Sequence, residues 1–464
     1  MKLNYQWKGP DDFRCWGPYI IFGNDASREI RITWQSKFMT MHKWIKYGET
    51  EECEFKIEED TPPRYLHSFI LTDLKPDTVY YFRISRPENH IKNKVDIYNA
   101  GILIPEFIEK DGKPIYSFRT APSYSETSNN RSISFDFCIT SDIHCQDMNV
   151  ADSIKRMEEY SGDIRFLTVT GDITAHGGQE SAWNSFFYQL HPYIHSNKTN
   201  NIALMNIPGN HDSDHRETYA HFIHAFNNPY EDIRKGGYYY VIYGNAVFIM
   251  LDSCNAGQAR GPQGLVSDDQ MEWLEKTLAR FAKKNYWIFI CLHHEIYSTG
   301  YKNGMIKLYE MIYLDLFNEY QVDAVFYGHD HQFEVYWQSR EEDWGGTHYI
   351  LVGNGGNGLS NMKEMKTRDP PANYIWKEKT YIFERDGILE GNPNGARNDE
   401  VIRNAFQYGI IEETGWLYVS IDGDECEMKM IGSRNGNVFY HDKFKRTGTG
   451  KRCHKPILIK KDVD

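Results

Sequence analysis

Five short clusters in the middle of the 464-residue chain carry side chains that bind metal ions. They are Asp142-Ile143-His144, Gly171-Asp172, Gly209-Asn210-His211-Asp212, His293-His294 and Gly328-His329-Asp330-His331. Carboxylate oxygens, an amide oxygen and imidazole nitrogens suit borderline and harder divalent ions such as Zn, Mn or Fe, whereas thiolates would point to softer chemistry. A pair of ions needs a separation of about 3.5–4 Å and a ligand that reaches both. Asp172, a lone carboxylate behind a glycine, is the candidate bridge.

Such residues must be brought together from distant parts of the chain, and the flanking sequence says how. Each cluster follows an apolar run that reads as a β-strand, among the runs 133–140, 164–170, 202–207, 238–242, 246–251, 287–292 and 322–327. Helical stretches alternate with them, so this part of the chain is an α/β layer architecture. In open α/β sheets ligands bind beyond the carboxyl ends of the strands, and five strand ends can therefore converge on one spot. Residues 267–284 predict a helix, with Ser267 and Gln270 as a capping box and Met271, Leu274, Leu278 and Phe281 on one face.

Ahead of this region, residues 14–121 read as all-β. Residues 29–35 alternate apolar and polar, a second strand covers 81–84, and a last one covers 115–119. The turn at Pro76 followed by Tyr80 resembles the tyrosine corner of immunoglobulin-like sandwiches. Residues 122–131 are small and polar, as a linker should be, and 132–449 form the second domain. The Gly-, Pro- and Asn-rich stretch 356–405 reads as a surface excursion over the site, strands resume at 415–421, and a basic tail occupies 450–464.

Composition narrows the functions. Hydrophobic residues make up 40% and charged residues 25%, enough for a buried core, and the net charge is −13. That charge repels polyanions and argues against a nucleic-acid partner. It leaves room for a small phosphorylated substrate, because bound cations reverse the potential within one cleft. No run approaches the roughly 20 apolar residues of a membrane span. The first residues lack the apolar stretch of a secretory signal, so the chain is expected in the cytoplasm, or outside it if a leader has been removed. Eight cysteines without regular spacing read mostly as buried thiols.

The set D-x-H, G-D, G-N-H-D, H and G-H-x-H, in this order at strand ends, resembles the calcineurin-like metallophosphoesterase superfamily. A fibronectin type III-like domain ahead of it resembles the purple acid phosphatase architecture. The resemblance covers about residues 16–355 and extends weakly through Gly353-Asn354-Gly355-Gly356. It implies a four-layer α/β fold, a β-sandwich flanked by helices, behind an N-terminal immunoglobulin-like sandwich. It also implies two divalent ions (Zn, Mn or Fe), one on Asp142, His144, Asp172 and His331, the other on Asp172, Asn210, His293 and His329. A hydroxide between the ions would attack the phosphate ester, His211 would protonate the leaving oxygen, and Asp212 would orient His211. His176 and Arg216, close to the motifs, are candidate substrate contacts.

The implied activity is hydrolysis of a phosphomonoester or small phosphodiester. Nucleases and cyclic-nucleotide phosphodiesterases share the five motifs, and a binding protein on a dead hydrolase domain is a rival of another class. The substrate cannot be inherited from the purple enzymes. Where they carry an adjacent His pair this chain has Tyr301-Lys302-Asn303, so Tyr297, Tyr301 and Lys302 are the pocket candidates.

A further departure bears on colour. The purple enzymes place an iron-binding Tyr three residues after the bridging Asp, and this chain has Ala175 there and gains His144. The pure protein is therefore expected to be colourless. A tyrosinate-to-iron absorption band in its visible spectrum would overturn this.

Overall fold

The computed structural model describes residues 16–40, 44–59, 62–84, 115–125, 133–145, 163–194, 202–213, 220–254, 266–282, 284–298, 313–340, 345–356, 375–377, 380–384, 405–411 and 413–445, with isolated positions besides, among them 153–160 in part and 457–458. All counts of elements below refer to these residues.

The first seven strands are β1 (Trp16–Phe22), β2 (Ile30–Thr40), β3 (Trp44–Gly48), β4 (Phe55–Glu58), β5 (Arg64–Leu71), β6 (Val79–Ile84) and β7 (Tyr116–Arg119). β1, β2 and β5 form one sheet, and β4, β3, β6 and β7 form another in that order. Alternation along the strands turns Ile30, Ile32 and Trp34 of β2 and Phe69 and Leu71 of β5 inward, together with Ile45, Tyr80, Phe82 and Phe118. The turn before β6 closes as expected. The backbone N–H of Lys75 donates to the Tyr80 hydroxyl at 3.0 Å, tying the loop to the strand that follows.

The second region contains β8 (Ser134–Thr140), β9 (Ile164–Thr170), helix α1 (Glu180–Ile194), β10 (Ala203–Ile207), helix α2 (Ala220–Ala225), β11 (Tyr239–Tyr243), β12 (Ala246–Met250), helix α3 (Asp268–Ala282), β13 (Trp287–Cys291), helix α4 (Asp315–Glu319) and β14 (Ala324–Tyr327). It continues with β15 (Phe333–Arg340), β16 (Gly345–Val352), β17 (Ile375–Lys377), β18 (Thr380–Glu384), β19 (Phe406–Ile411), β20 (Gly415–Asp422), β21 (Glu425–Gly432), β22 (Val438–Lys445) and β23 (Ile457–Leu458). Part of the expected excursion is thus a hairpin, β17–β18, beside β19, and the basic tail contributes the short edge strand β23.

Two sheets face each other. One runs β23-β22-β21-β20-β8-β9-β10-β1-β2-β5, the other β11-β12-β13-β14-β16-β15-β19-β18-β17. Phe135, Phe137, Phe166, Phe248, Phe289 and Phe326 fill the space between them. On the outer face of the first sheet lie Trp183, Phe186 and Phe187 of α1 with Phe222 of α2, and on that of the second Leu274, Leu278 and Phe281 of α3 with Phe317 of α4. The result is helix, sheet, sheet, helix. β12, β13 and β14 are covered on both faces and are accordingly apolar at every position.

Two features differ from the sequence reading. The N-terminal unit is not separate from the second, because β1 pairs in parallel with β10, setting Ile20 opposite Ala203 and Ile21 opposite Leu204. One face of β1 packs into the N-terminal core through Ile20 and Phe22, while Trp16 and Tyr19 stack on Phe187 of α1. The capping box of α3 is also only half made. The N–H of Gln270 donates to Ser267 Oγ at 3.3 Å, but the Gln270 amide turns away and pairs with the backbone of Asp252, at 2.8 and 2.9 Å. A buried amide with two backbone partners is better satisfied there than at the helix end.

Replacing Tyr80→Phe removes the acceptor for the Lys75 N–H. We expect a loss of about 1 kcal/mol, read as a lower denaturant midpoint of the whole chain.

Candidate metal centre

Parallel strands β8, β9 and β10 of one sheet and β13 and β14 of the other end on the same side, and the five clusters follow those ends. The loops stay in register with each other beyond the strands. The N–H groups of Asp142, His144 and Cys145 donate to the carbonyls of Gly171, Asp172 and Ile173 at 2.9–3.1 Å. Within that frame Asp142, His144, Asp172 and His329 adopt left-handed backbone, with φ of 54°, 45°, 51° and 76°. Each such residue costs on the order of 1–3 kcal/mol, and the cost is borne only where surrounding structure holds it.

Two glycines make the approach possible. A Cβ on Gly171 (φ 95°) would stand 2.4 Å from His293 Nδ1, and one on Gly209 would stand 2.0 Å from the Asp172 nitrogen. Bare backbone at these points lets three strand ends meet.

Three overlapping groups of ligand atoms result, and the third, His144, Asp172 and His211, links the other two. Asp142, His144 and His331 form one, Asp172, His293 and His329 another, each with its atoms within 4.8 Å of one another. His144 Nε2 lies 3.1 Å from His331 Nε2 and 3.9 Å from Asp142 Oδ1, and His331 Nε2 lies 3.5 Å from the same oxygen. His293 Nε2 lies 3.4 Å from Asp172 Oδ1 and 3.0 Å from Asn210 Oδ1. The groups meet at Asp172, whose Oδ2 is 3.6 Å from His144 Nε2. Groups bound to one ion at about 2.0–2.2 Å stand roughly 3–4 Å apart, which is this spacing. Moreover, Asp142 Oδ1 and Asp172 Oδ2 are buried without a protein hydrogen-bond partner. A buried carboxylate oxygen facing imidazoles in that state is what a cation would satisfy, so the residues present fit a pair of ions.

Electrostatics inside the site are uneven. Burial pulls the His293 imidazole down, but Asp172 beside it outweighs that and holds it at about 9. Burial likewise pushes Asp172 up, and His293 and His144 bring it well below the usual carboxylate range. For His144 burial wins over its carboxylate neighbours and lowers it to about 4. His293 Nδ1 donates to the Thr170 carbonyl at 2.9 Å, which points Nε2 into the cluster.

The remaining site candidates divide. His211 is exposed and His176 beside it as well, and both line a polar cleft of about 170 Å³ with Ala175, Gly178, Gln179, Asn210 and Ser213. Arg216, Tyr301 and Lys302 lie outside the described residues. Tyr297 is corrected: it is fully buried against Tyr336 and Tyr349, with its hydroxyl on Gln338 at 3.0 Å, and belongs to the core.

The partner expected for His211 is corrected too. Its Nδ1 meets the Ala175 carbonyl at 3.1 Å. The Asp212 carboxylate instead accepts backbone N–H groups from Gly209, Thr174 and Ile173 at 2.9–3.3 Å. It therefore clamps the loop after β10 to the loop after β9. Burial, then the charge of Asp172, raise its pKa to about 7. Asp252 is structural, holding the N–H groups of Gly237 and Cys254. His294 is buried, with Nδ1 2.9 Å from Ser253 Oγ. The six described cysteines are buried and outside any disulfide.

Sequence reasoning missed Gln179 and Ser213 as lining residues. The signal was present, since both sit in polar loops directly beyond strands that carry candidate ligands.

The fold and the site define a class, and comparison with known proteins agrees with it. The family model for calcineurin-like phosphoesterases matches residues 135–333, and that for the purple acid phosphatase N-terminal domain matches residues 16–100. This chain therefore carries a calcineurin-like phosphoesterase domain behind a purple acid phosphatase N-terminal domain. It is 25% identical over 323 residues to purple acid phosphatase 15 of Arabidopsis thaliana, covering 63% of this chain and 54% of that one. It is 22% identical over 382 residues to a probable purple acid phosphatase 20 of the same plant, covering 78% and 76%. The chain thus spans about half the length of the first relative and three quarters of the second. A purple acid phosphatase from yellow lupin (Lupinus luteus) seeds shares the fold, with a TM-score of 0.64, 17% identity, and coverage of 96% of this chain and 77% of that one. These matches support a metal-dependent phosphatase and imply a dinuclear metal centre. Among the described residues no helix is long and apolar enough to cross a membrane.

The pKa values give a test of the metal-free site. An imidazole must be neutral to bind a cation. With a pKa of about 9 His293 is protonated at pH 7.5, whereas His144, at about 4, is already neutral. Zn²⁺ uptake should therefore release about one more proton per chain at pH 7.5 than at pH 10, measured by calorimetry in buffers of different ionisation enthalpy. Equal release at both pH values would contradict the assignment.

Proposed function

We propose that this chain hydrolyses esters of small phosphorylated molecules with two divalent ions. The observation that carries the reading is the pair of ligand groups meeting at Asp172. Asp142, His144, Asp172 and His331 would hold one ion, and Asp172, Asn210, His293 and His329 the other. Bound there, the ions would lower the pKa of a water into the neutral range and neutralise charge on the phosphoryl oxygens.

The chain's own residues complete the reaction. His211 stands at the cleft with Nδ1 fixed on the Ala175 carbonyl, which leaves Nε2 to protonate the leaving oxygen. His176, with Gln179 and Ser213, offers hydrogen-bonding groups to a small polar leaving group.

Asp172→Ala and His293→Ala should each abolish turnover of an aryl phosphate with Zn, Mn or Fe present, while far-UV circular dichroism stays that of the wild type. Normal rates in either variant would refute the site. His211→Ala should slow kcat by roughly 10²–10⁴-fold, more for alkyl than for nitrophenyl leaving groups, since the latter need no proton. Comparing mono- and bis-aryl phosphates decides between phosphomonoesterase and phosphodiesterase.

A further inference from the structure

Beyond the candidate ligands, one buried acid lies against the cluster without belonging to either ligand group. Glu295 is two residues after His293 and only 3% exposed, and its Oε2 is 4.0 Å from His329 Nε2. His329 is the imidazole of the Asp172–His293 group that comes from the other loop, after β14.

A buried carboxylate costs several kcal/mol of desolvation unless a positive or donating neighbour offsets it. His329 offers an ionisable ring beside Glu295. Metal-bound histidines commonly turn their second ring nitrogen toward a carboxylate or a carbonyl, which fixes the tautomer and makes the ligand more basic. His293 already shows the carbonyl form of this arrangement through Thr170. At 4.0 Å the Glu295 contact is longer than a hydrogen bond, so it acts through charge and through a small closure or one bridging water.

We propose that Glu295 is a positioning residue for His329: its negative charge holds the Nε2–H side of the ring and thereby strengthens ion binding at the Asp172–Asn210–His293–His329 position selectively. The inference rests on the dinuclear reading above. It concerns the position that His329 would serve, not the Asp142–His144–His331 position. The local sequence His293-His294-Glu295 places the acid on the loop that carries one ligand, so that a single loop sets both His293 and the acid behind His329. His329 in turn lies next to Asp330, itself buried with its carboxylate on the Ser298 hydroxyl. Ser298 and Glu295 belong to the same loop, which is therefore stitched to the His329–His331 turn at two points.

The test is Zn²⁺ titrated into metal-free full-length protein by calorimetry with a competing chelator, for wild type, Glu295→Gln and Glu295→Asp. Gln keeps the shape and removes the charge, and Asp keeps the charge. We expect two ions per wild-type chain. In Glu295→Gln one site should weaken roughly 10- to 100-fold while the other stays within about twofold, and the thermal midpoint of the metal-free protein should not move. Glu295→Asp should recover part of the lost affinity. Two sites of wild-type affinity in Glu295→Gln would overturn the proposal. So would equal weakening of both sites with a lowered metal-free midpoint, which would make Glu295 a packing residue. A wild-type chain that takes up fewer than two ions would overturn the dinuclear reading and this inference with it.

Discussion

Everything in the site depends on where one carboxylate is held. Asp172 is fully buried, strained to a φ of 51°, and has to face two sets of imidazoles at once. Left in water such an aspartate would relax to extended backbone and a solvated side chain. Here its carbonyl is taken by the N–H of His144, its Oδ1 accepts the N–H of His211 at 2.7 Å, and Gly209 presses against its own nitrogen. The adjoining loops are tied together by the Asp212 carboxylate. The cost of gathering buried negative charge is thus met by backbone donors and imidazoles before any ion arrives, leaving two oxygen atoms directed at the cluster centres.

That arrangement explains the shape of the rest. A site assembled from the ends of five parallel strands needs two sheets face to face, and a filled aromatic layer between them fixes their spacing. The helices then cover the outer faces. The site loops are held by hydrogen bonds to one another and by buried apolar residues among them, Ile143 and Ile173 on one side and Ile296 on the other.

Much of this could be read from the residues. The five donor clusters stood out because polar ligand types interrupt apolar runs at one recurrent place, the strand end, and strand ends in such sheets are where ligands sit. Strands β8 to β14, β20 and helix α3 were found within a residue or two because buried strands and an amphipathic helix leave strong periodic signals, whereas β15 to β19 and β21 to β23 were not read as strands. What stayed hidden was pairing and direction. Nothing in β1 says that its edge meets β10, nearly two hundred residues on, since alternation reveals which face is buried and not which strand lies beside it. Tyr297 is as apolar as it is polar, and its nearness to His293 suggested a pocket where the side chain in fact turns into the core. Asp212 and Gln270 followed local motifs, but each found better partners across the fold.

The parallel pairing of β1 with β10 has a mechanical meaning. Strand β10, which leads to Asn210, is flanked on one side by β9, leading to Asp172, and on the other by a strand of the N-terminal unit. Two lobes joined by a flexible tether can close on a substrate like a jaw, whereas a continuous ladder of hydrogen bonds leaves no pivot between them. The N-terminal unit is consequently a fixed extension of the sheet that carries three of the candidate ligand loops, not a lobe hinged beside it.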